Sequence, residues 1–231
     1  MTLDSVLDLR LSPTRRTEVH RHRERAATQR EQLFAVLRDA LVCHVGVILG
    51  GHPAVLPLAF GVDADGPDEG GTLYLHGSVA AGALSAAPDS DICVTVTHVD
   101  GLVLARSAFH HSMNYRSAVV VGRARRVEDD HEKRHALDLI VDHVVPGRSG
   151  TLRPHTRKEL AATAVIALPL HEASVKIRTG GVSDDPEDVE AGGVWAGVLP
   201  LRVVADNVVV DETAAALDVP ADVLRRRAQL A

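Results

Sequence analysis

At 231 residues, 45% of them hydrophobic, the chain is long enough and apolar enough to bury a real core, which excludes disorder throughout. A formal net charge of −6 and an aromatic share of 3% argue against a nucleic-acid partner, because the charge has the wrong sign and few rings are present to stack on bases. Two cysteines, Cys43 and Cys93, sit in apolar runs rather than in a spaced framework and read as buried free thiols of a reducing compartment.

The chain opens with MTLDSVLDLRLSPTRR, which has acids where a secretory signal needs a basic start. No later stretch approaches the roughly 18 apolar residues of a membrane span, so a soluble cytoplasmic protein is expected. Arg15, Arg16, Arg21, Arg23, Arg25 and Arg30 follow without apolar periodicity. Residues 1–27 therefore read as an exposed basic arm, with anion binding or the clasping of a second subunit as the alternative to a solvated lead-in.

Thr28 and Glu31 have capping-box spacing ahead of Leu33, Phe34, Leu37, Ala40 and Leu41, which predicts an amphipathic helix over about 29–41. The period then shortens. VCHVGVIL (42–49) and AVLPLAF (54–60) read as strands around a Gly/Pro turn, DADGPDEGG (63–71) as a loop, and TLYLH (72–76) as a strand. An Ala-rich run from Ser78 to Pro88 suggests a short helix. DICVTVTHV (91–99) and LVLARS flank Asp100-Gly101, the strongest short-range signal for a two-residue hairpin. A strand is expected at about 115–127, then a helix over 129–145, N-capped by Asp129 or Asp130, with Leu137, Ile140, Val141 and Val144 on its apolar face. Thr156 and Glu159 offer a second capping box. Two strands (163–170 and 173–179), an acidic loop (180–193) and a last strand (194–204) follow, and a short helix starts near Pro220 with Asp218 as cap.

About eight short strands with three or four helices predict a mainly β, α+β fold. Early hairpin spacing favours an antiparallel sheet closed as a barrel with helices outside. No GxGxxG follows a first strand, so a Rossmann domain has no support. HEKRH at 131–135 matches HExxH, yet His131 and His135 lie on the side of their helix away from the predicted apolar face. They read as solvated residues, and no metal site is assigned.

The densest polar cluster is AFHHSMNYRSAVVVGRARRV (108–127), where His110, His111, Ser112, Asn114, Tyr115, Arg116 and Ser117 precede a β-branched run. Together with LYLHGS (73–78), ASVKIRTGG (173–181) and VWAGVLP (194–200), it resembles the pyridoxamine 5′-phosphate oxidase-like FMN-binding split barrels, in particular the nitroimidazole-reductase-like branch. The resemblance runs from about residue 30 to 205. It implies a six-stranded antiparallel Greek-key barrel over residues 28–205, a C-terminal extension over 206–231, and a homodimer with FMN in clefts between subunits.

On that resemblance the protein is an FMN-dependent oxidoreductase acting on a small, flat organic substrate. Arg116 suits the phosphate, because its planar fork can hold two oxygens, while Ser112, Asn114 and Ser117 supply directional hydrogen bonds. Tyr115 covers the flavin edge. If 115–121 is a strand, Tyr115 and Ser117 share one face and Arg116 points the other way. His76 is the candidate catalytic group, Gly77 lets a ligand approach the backbone, and Ser78 is a candidate cap. Lys176 and Arg178 alternate with Val175 and Ile177, so both either face the cleft or stand as surface cations, and Trp195 caps the cofactor slot, lies at the dimer seam or packs in the core.

Relatives usually carry a cation just after the His-Gly-Ser segment, but VAAGAL (79–84) has none. A charge-assisted hydrogen bond contributes about 1.5–3 kcal/mol, so FMN binding is expected to be weaker by roughly 10- to 100-fold unless another cation compensates. The same cleft could hold a deazaflavin, or haem with His76, His110 or His111 as axial ligand. A small-ligand-binding homologue without turnover, or without cofactor, is the reading from another class.

Overall fold

The structure, a computed structural model, describes residues 10–79, 84 and 90–231. The predicted helix after Ser78 lies mostly outside these residues. The first helix, α1 (Arg30–Asp39), buries Leu33, Val36 and Leu37, one stripe at i, i+3, i+4 spacing. Its expected capping box is not made. Gln29 is the N-cap and contributes no side-chain bond. The start is held instead by Arg30, whose side chain is fully buried and donates to the carbonyls of Leu170 and His171 at 2.9–3.0 Å.

Ten strands follow among the described residues: β1 (Cys43–Leu49), β2 (His52–Leu58), β3 (Phe60–Asp63), β4 (Thr72–Ser78), β5 (Asp91–Leu104), β6 (Ser112–Arg123), β7 (Arg125–Arg126), β8 (Thr163–Pro169), β9 (Ala173–Arg178) and β10 (Gly197–Pro200). Every pairing is antiparallel. The larger sheet has the order β2-β1-β5-β6-β9, with β10 on β5, and the smaller one β3-β4-β8-β7. The chain passes between the sheets after β2, β4, β6 and β8; the first crossing falls at Ala59, so AVLPLAF, expected as one strand, is split between the two. Among the described residues no ladder joins the sheets edge to edge. What unites them is a shared core, in which Val45, Val94 and Val120 of one sheet meet Leu73, Leu75 and Leu168 of the other with α1 packed alongside. Each such side chain contributes about 1.5–3 kcal/mol on burial.

The expected hairpin at Asp100-Gly101 does not form. β5 runs straight through these residues, because β6 pairs with it from Asp91↔Arg123 to Val103↔Ser112 and β10 pairs with its far half. The register slips between Val99 and Gly101, a β-bulge that leaves Asp100 unpaired in the ladder with β6. The reversal falls instead in residues 105–111, around a 3-10 turn at Ala108–His110.

The second helix, α2 (Asp130–Val144), is capped as predicted, with the Asp129 carboxylate accepting from the Glu132 amide at 2.8 Å. Its buried face is Ala136 and Ile140, flanked by Leu137 and Leu139, over Tyr74, Val165 and Ala167; Val144, expected in that face, is 42% exposed. His143 takes the position instead. Its ring centre lies 4.3 Å from that of Phe60, and its Nε2 is 2.6 Å from the Ala40 carbonyl oxygen. His131 and His135 both face solvent, and His135 Nε2 lies 2.8 Å from the Asp63 carboxylate.

The second capping box is present, with Thr156 and Glu159 bonding each other's backbone at the start of α3 (Arg157–Ala162). The acidic loop contains a short helix, α4 (Pro186–Ala191), and the last strand is only four residues long. The final helix, α5 (Ala221–Gln229), has Pro220 rather than Asp218 at its N-cap.

The basic arm is less free than its charge suggests. Leu11, Thr17 and Ala27 are buried, the Ala27 amide donates to the Val175 carbonyl at 2.9 Å, and Arg16 pairs with both Asp91 and Glu172. Residues 10–27 thus lie along β9. Only some of the arginines, Arg15, Arg21 and Arg23 among them, reach into solvent.

Candidate functional site

Strand alternation sorts the polar cluster of β6 into two sets. Ala118 and Val120 point into the core, so Asn114 and Arg116 share their inner side. Tyr115, Ser117 and Val119 face outward, beside Lys176 of β9, which stands opposite Ser117 in the ladder. This outer face of the larger sheet continues through Thr95 and Thr97 to Ile48 and Val55, which are 64% and 66% exposed. One face therefore offers an apolar half and a polar half side by side.

Arg116 is engaged by acids within its own chain. Its Nε and Nη2 donate to the two Asp100 oxygens at 3.0 Å each, a bidentate fork made possible by the bulge, and its Nη1 donates to Asp39 at 2.6 Å. Two carboxylates on one guanidinium hold its pKa above the ordinary value and leave the cluster net negative. Asn114 accepts from Arg178 at 2.5 Å and donates to the Gly180 carbonyl at 3.0 Å, which fixes the exit of β9. Ser112 pairs opposite Val103 in the ladder and is half-buried. Lys176 donates to the Arg21 carbonyl at 3.1 Å, which leaves two of its three N–H bonds for another acceptor.

His76, Gly77 and Ser78 stand on the smaller sheet, where β4 is flanked by β3 and β8. The predicted residues thus fall into two groups on separate sheets. His76 is half-buried on the same side of β4 as Tyr74, and burial lowers its pKa, so the ring is neutral at neutral pH. The room beside Gly77 is taken by Leu84, whose Cδ1 would lie 3.1 Å from an added Cβ. Ser78 ends β4 and is exposed. Of the other candidate histidines, His110 lies 3.1 Å from Asp185, and His111 Nδ1 lies 2.8 Å from the Ser107 carbonyl oxygen. His76 has no such partner among the described residues. Trp195 is 69% exposed, which removes core packing as its role.

A cleft of about 850 Å³ opens where α1 meets the larger sheet, lined by Asp39, His44, His98, Asp100, Arg116 and the C-terminal residues Leu201–Val203 and Gln229–Ala231. The sequence held little sign of it. Asp39 and Arg116 are 77 positions apart, and Asp100 reads as a turn residue until its strand is seen to continue.

Two half-buried histidines set an acid limit on the fold. His76 and His143 both have pKa values lowered mainly by burial from an ordinary 6.5, so the unfolded chain binds more protons than the native one just below that pH. Stability is expected to fall as pH drops from about 7 to about 5, before the carboxylates titrate. Urea midpoints across this range should show the decline, with a shallower slope in His143→Gln.

The comparisons agree with this architecture. The family model for pyridoxamine 5′-phosphate oxidase matches residues 29–177, well over half of the chain. The chain belongs to the pyridoxamine 5′-phosphate oxidase family. Within that family it is similar to the flavocytochrome Anf3 from Azotobacter vinelandii, at 38% identity over 93% of this chain and 98% of that one, with a TM-score of 0.83. It is also similar to an FAD- and haem-binding protein from Mycobacterium smegmatis, at 36% identity over 87% and 97% of the two chains, with a TM-score of 0.78. A candidate 5-nitroimidazole antibiotic resistance protein from Bacteroides thetaiotaomicron shares 26% identity over 66% of this chain and 86% of its own, with a TM-score of 0.52. No curated protein matches. Among the described residues no helix is long and apolar enough to cross a membrane.

Proposed function

We propose that the protein is a flavin-dependent oxidoreductase that works as a homodimer, with the flavin in a groove between the outer sheet face of one subunit and the neighbouring subunit. The observation that carries this reading is the two-part outer face. Its apolar part around Val119 and Val121 suits a flat ring, and its polar part offers Tyr115, Ser117 and Lys176 as donors. When bound, the flavin supplies hydride and single-electron transfer. The chain's own residues bind and orient it: Lys176 meets the anionic tail, Ser117 donates a hydrogen bond beside it, and Tyr115 lays its ring against the flavin edge.

Arg116 and Asn114 act from the inner side of β6. Arg116 ties the bulge of β5 to α1 through Asp100 and Asp39, and Asn114 aligns β9 through Arg178. Because His76 stands on the other sheet, it reaches the groove from the partner subunit, where its neutral ring can accept a proton or a hydrogen bond. Trp195 covers the same seam. The sequence resemblance favours FMN and the FAD- and haem-binding relative from Mycobacterium smegmatis, at 36% identity, favours FAD, so the flavin released by acid and identified by mass decides between them.

A second redox group, haem, is favoured by one further observation. His76 combines partial burial, a neutral ring and no protein partner among the described residues, so it would be the residue to hold haem iron, whereas His110 lies against Asp185 and His111 against the Ser107 carbonyl. The visible spectrum of the purified protein tests both parts. Twin flavin bands are expected, and a Soret band if haem is bound. A protein that stays colourless after addition of FMN, FAD and haemin would overturn the proposal. Lys176→Ala should weaken flavin binding by about 10- to 100-fold, the range of one charge-assisted bond. His76→Ala should shift or abolish any Soret band, and an unchanged band removes His76 as ligand.

A further inference from the structure

Past β10 the chain runs from Leu201 to Val210, LRVVADNVVV, without helix or strand, and every residue in it except Ala205 is exposed. Only two of its backbone amides donate to backbone carbonyls among the described residues: Leu201 to Asp100 at 3.0 Å and Ala205 to Leu230 at 2.8 Å. The run is also tied from its far side. Arg227 of α5 donates to Asn207 at 2.8 Å, and Arg148 anchors α5 by an ion pair to Asp222 at 3.4 Å. The path is therefore fixed while the side chains are bare. Val203, Val204 and Val209 are 75%, 65% and 93% exposed. Surface runs are ordinarily polar, and a contiguous apolar one signals a partner.

We propose that residues 201–210 form a strap that lies across a second copy of this chain, where its valines cover apolar residues of the outer face of the larger sheet. This rests on the homodimer proposed above and deepens it. The acceptor is on the same chain: Ile48 and Val55 stand 64% and 66% exposed on that face. A symmetric pair uses each patch twice, so both straps and both faces are covered in one closed assembly. The charges agree. Asp206, Asp211 and Glu212 lie in or just after the strap, and the N-terminal arm presents Arg15, Arg21 and Arg23 to solvent.

Sedimentation of the full-length protein over a dilution series tests the strap, with the wild type compared with Val203→Asp/Val209→Asp. The wild type should be a dimer, and the double variant should dissociate at least about 100-fold more readily, since two carboxylates would be buried without partners. If the double variant does not fold, amide exchange of residues 201–210 in the wild type serves instead: protection should rise with protein concentration. A flavin-bearing dimer in which the variant dissociates no more readily, or in which the strap exchanges equally fast at all concentrations, overturns the strap and leaves the flavin groove standing. A wild type that is monomeric at every concentration overturns both.

Discussion

Replacing Arg30 by Met should destabilise the fold by about 3–5 kcal/mol, the largest effect expected of any single side chain in this protein. The guanidinium is fully buried and makes three hydrogen bonds, two to the Leu170 carbonyl and one to that of His171, at 2.9–3.0 Å. These carbonyls belong to the turn between β8 and β9, so one residue at the start of α1 fastens the two sheets where the chain passes between them. Met keeps most of the volume and removes every donor. Arg30→Lys tests the geometry separately: it keeps the charge, but a single ammonium cannot reproduce the fork that spans both carbonyls. Its loss should be smaller than that of Met yet clearly measurable. Urea denaturation gives both values, and a shift below about 1 kcal/mol for Met would show that the turn is held by something else.

Gly61→Val should destabilise by about 3 kcal/mol, through overpacking rather than a lost contact. A Cβ at Gly61 would stand 2.9 Å from the Ile140 amide nitrogen and 3.0 Å from the Leu139 carbonyl carbon, so α2 sits directly on the backbone of β3. Backbone cannot rotate aside as a side chain can. The helix must lift, and Ile140 and Ala136 then lose their packing on Tyr74 and Ala167. Gly150→Ala, where an added Cβ meets nothing within 4 Å, is the matched control and should stay within about 0.5 kcal/mol of wild type. The contrast separates a glycine needed for close approach from one that is merely present.

Local signals were read correctly where one stretch of chain supplies all the partners. Asp129 caps α2 with its own neighbour, and Thr156 and Glu159 bond each other across three residues, so nothing distant can overrule them. Thr28 and Glu31 have the same spacing, but there the buried Arg30 anchors the helix start and the box is not made. Asp100-Gly101 shows the same competition more sharply. As an isolated peptide it favours a tight turn, yet ladder pairing on both sides of a continuous β5 outweighs that preference and converts the turn into a bulge.

The candidate site was legible in part. The polar knot at 110–117 announced itself by composition, and strand alternation correctly separated Tyr115 and Ser117 from Arg116. In the sequence Arg116 reads as a phosphate ligand by virtue of its planar fork, and the acids that occupy that fork are remote in sequence. Asp39 arrives on α1 and Asp100 through the bulge, and neither position is visible in a linear reading. His76 read as part of the same cleft as the knot, and it lies on the other sheet, since the chain leaves the larger sheet at Ala59 and returns to it only between β4 and β5.

Taken alone, the order of apolar and polar residues determined the mainly β class and the positions of most strands and helices, which depend on periodicity, while four short segments carried the resemblance to the family. Which strands share a sheet, which acids meet Arg116, and which valines are left bare beyond β10 were decided only by the tertiary structure. Those outcomes depend on pairings between residues tens of positions apart, and the free energy of such a pairing is set by what else the folded chain brings to the same place.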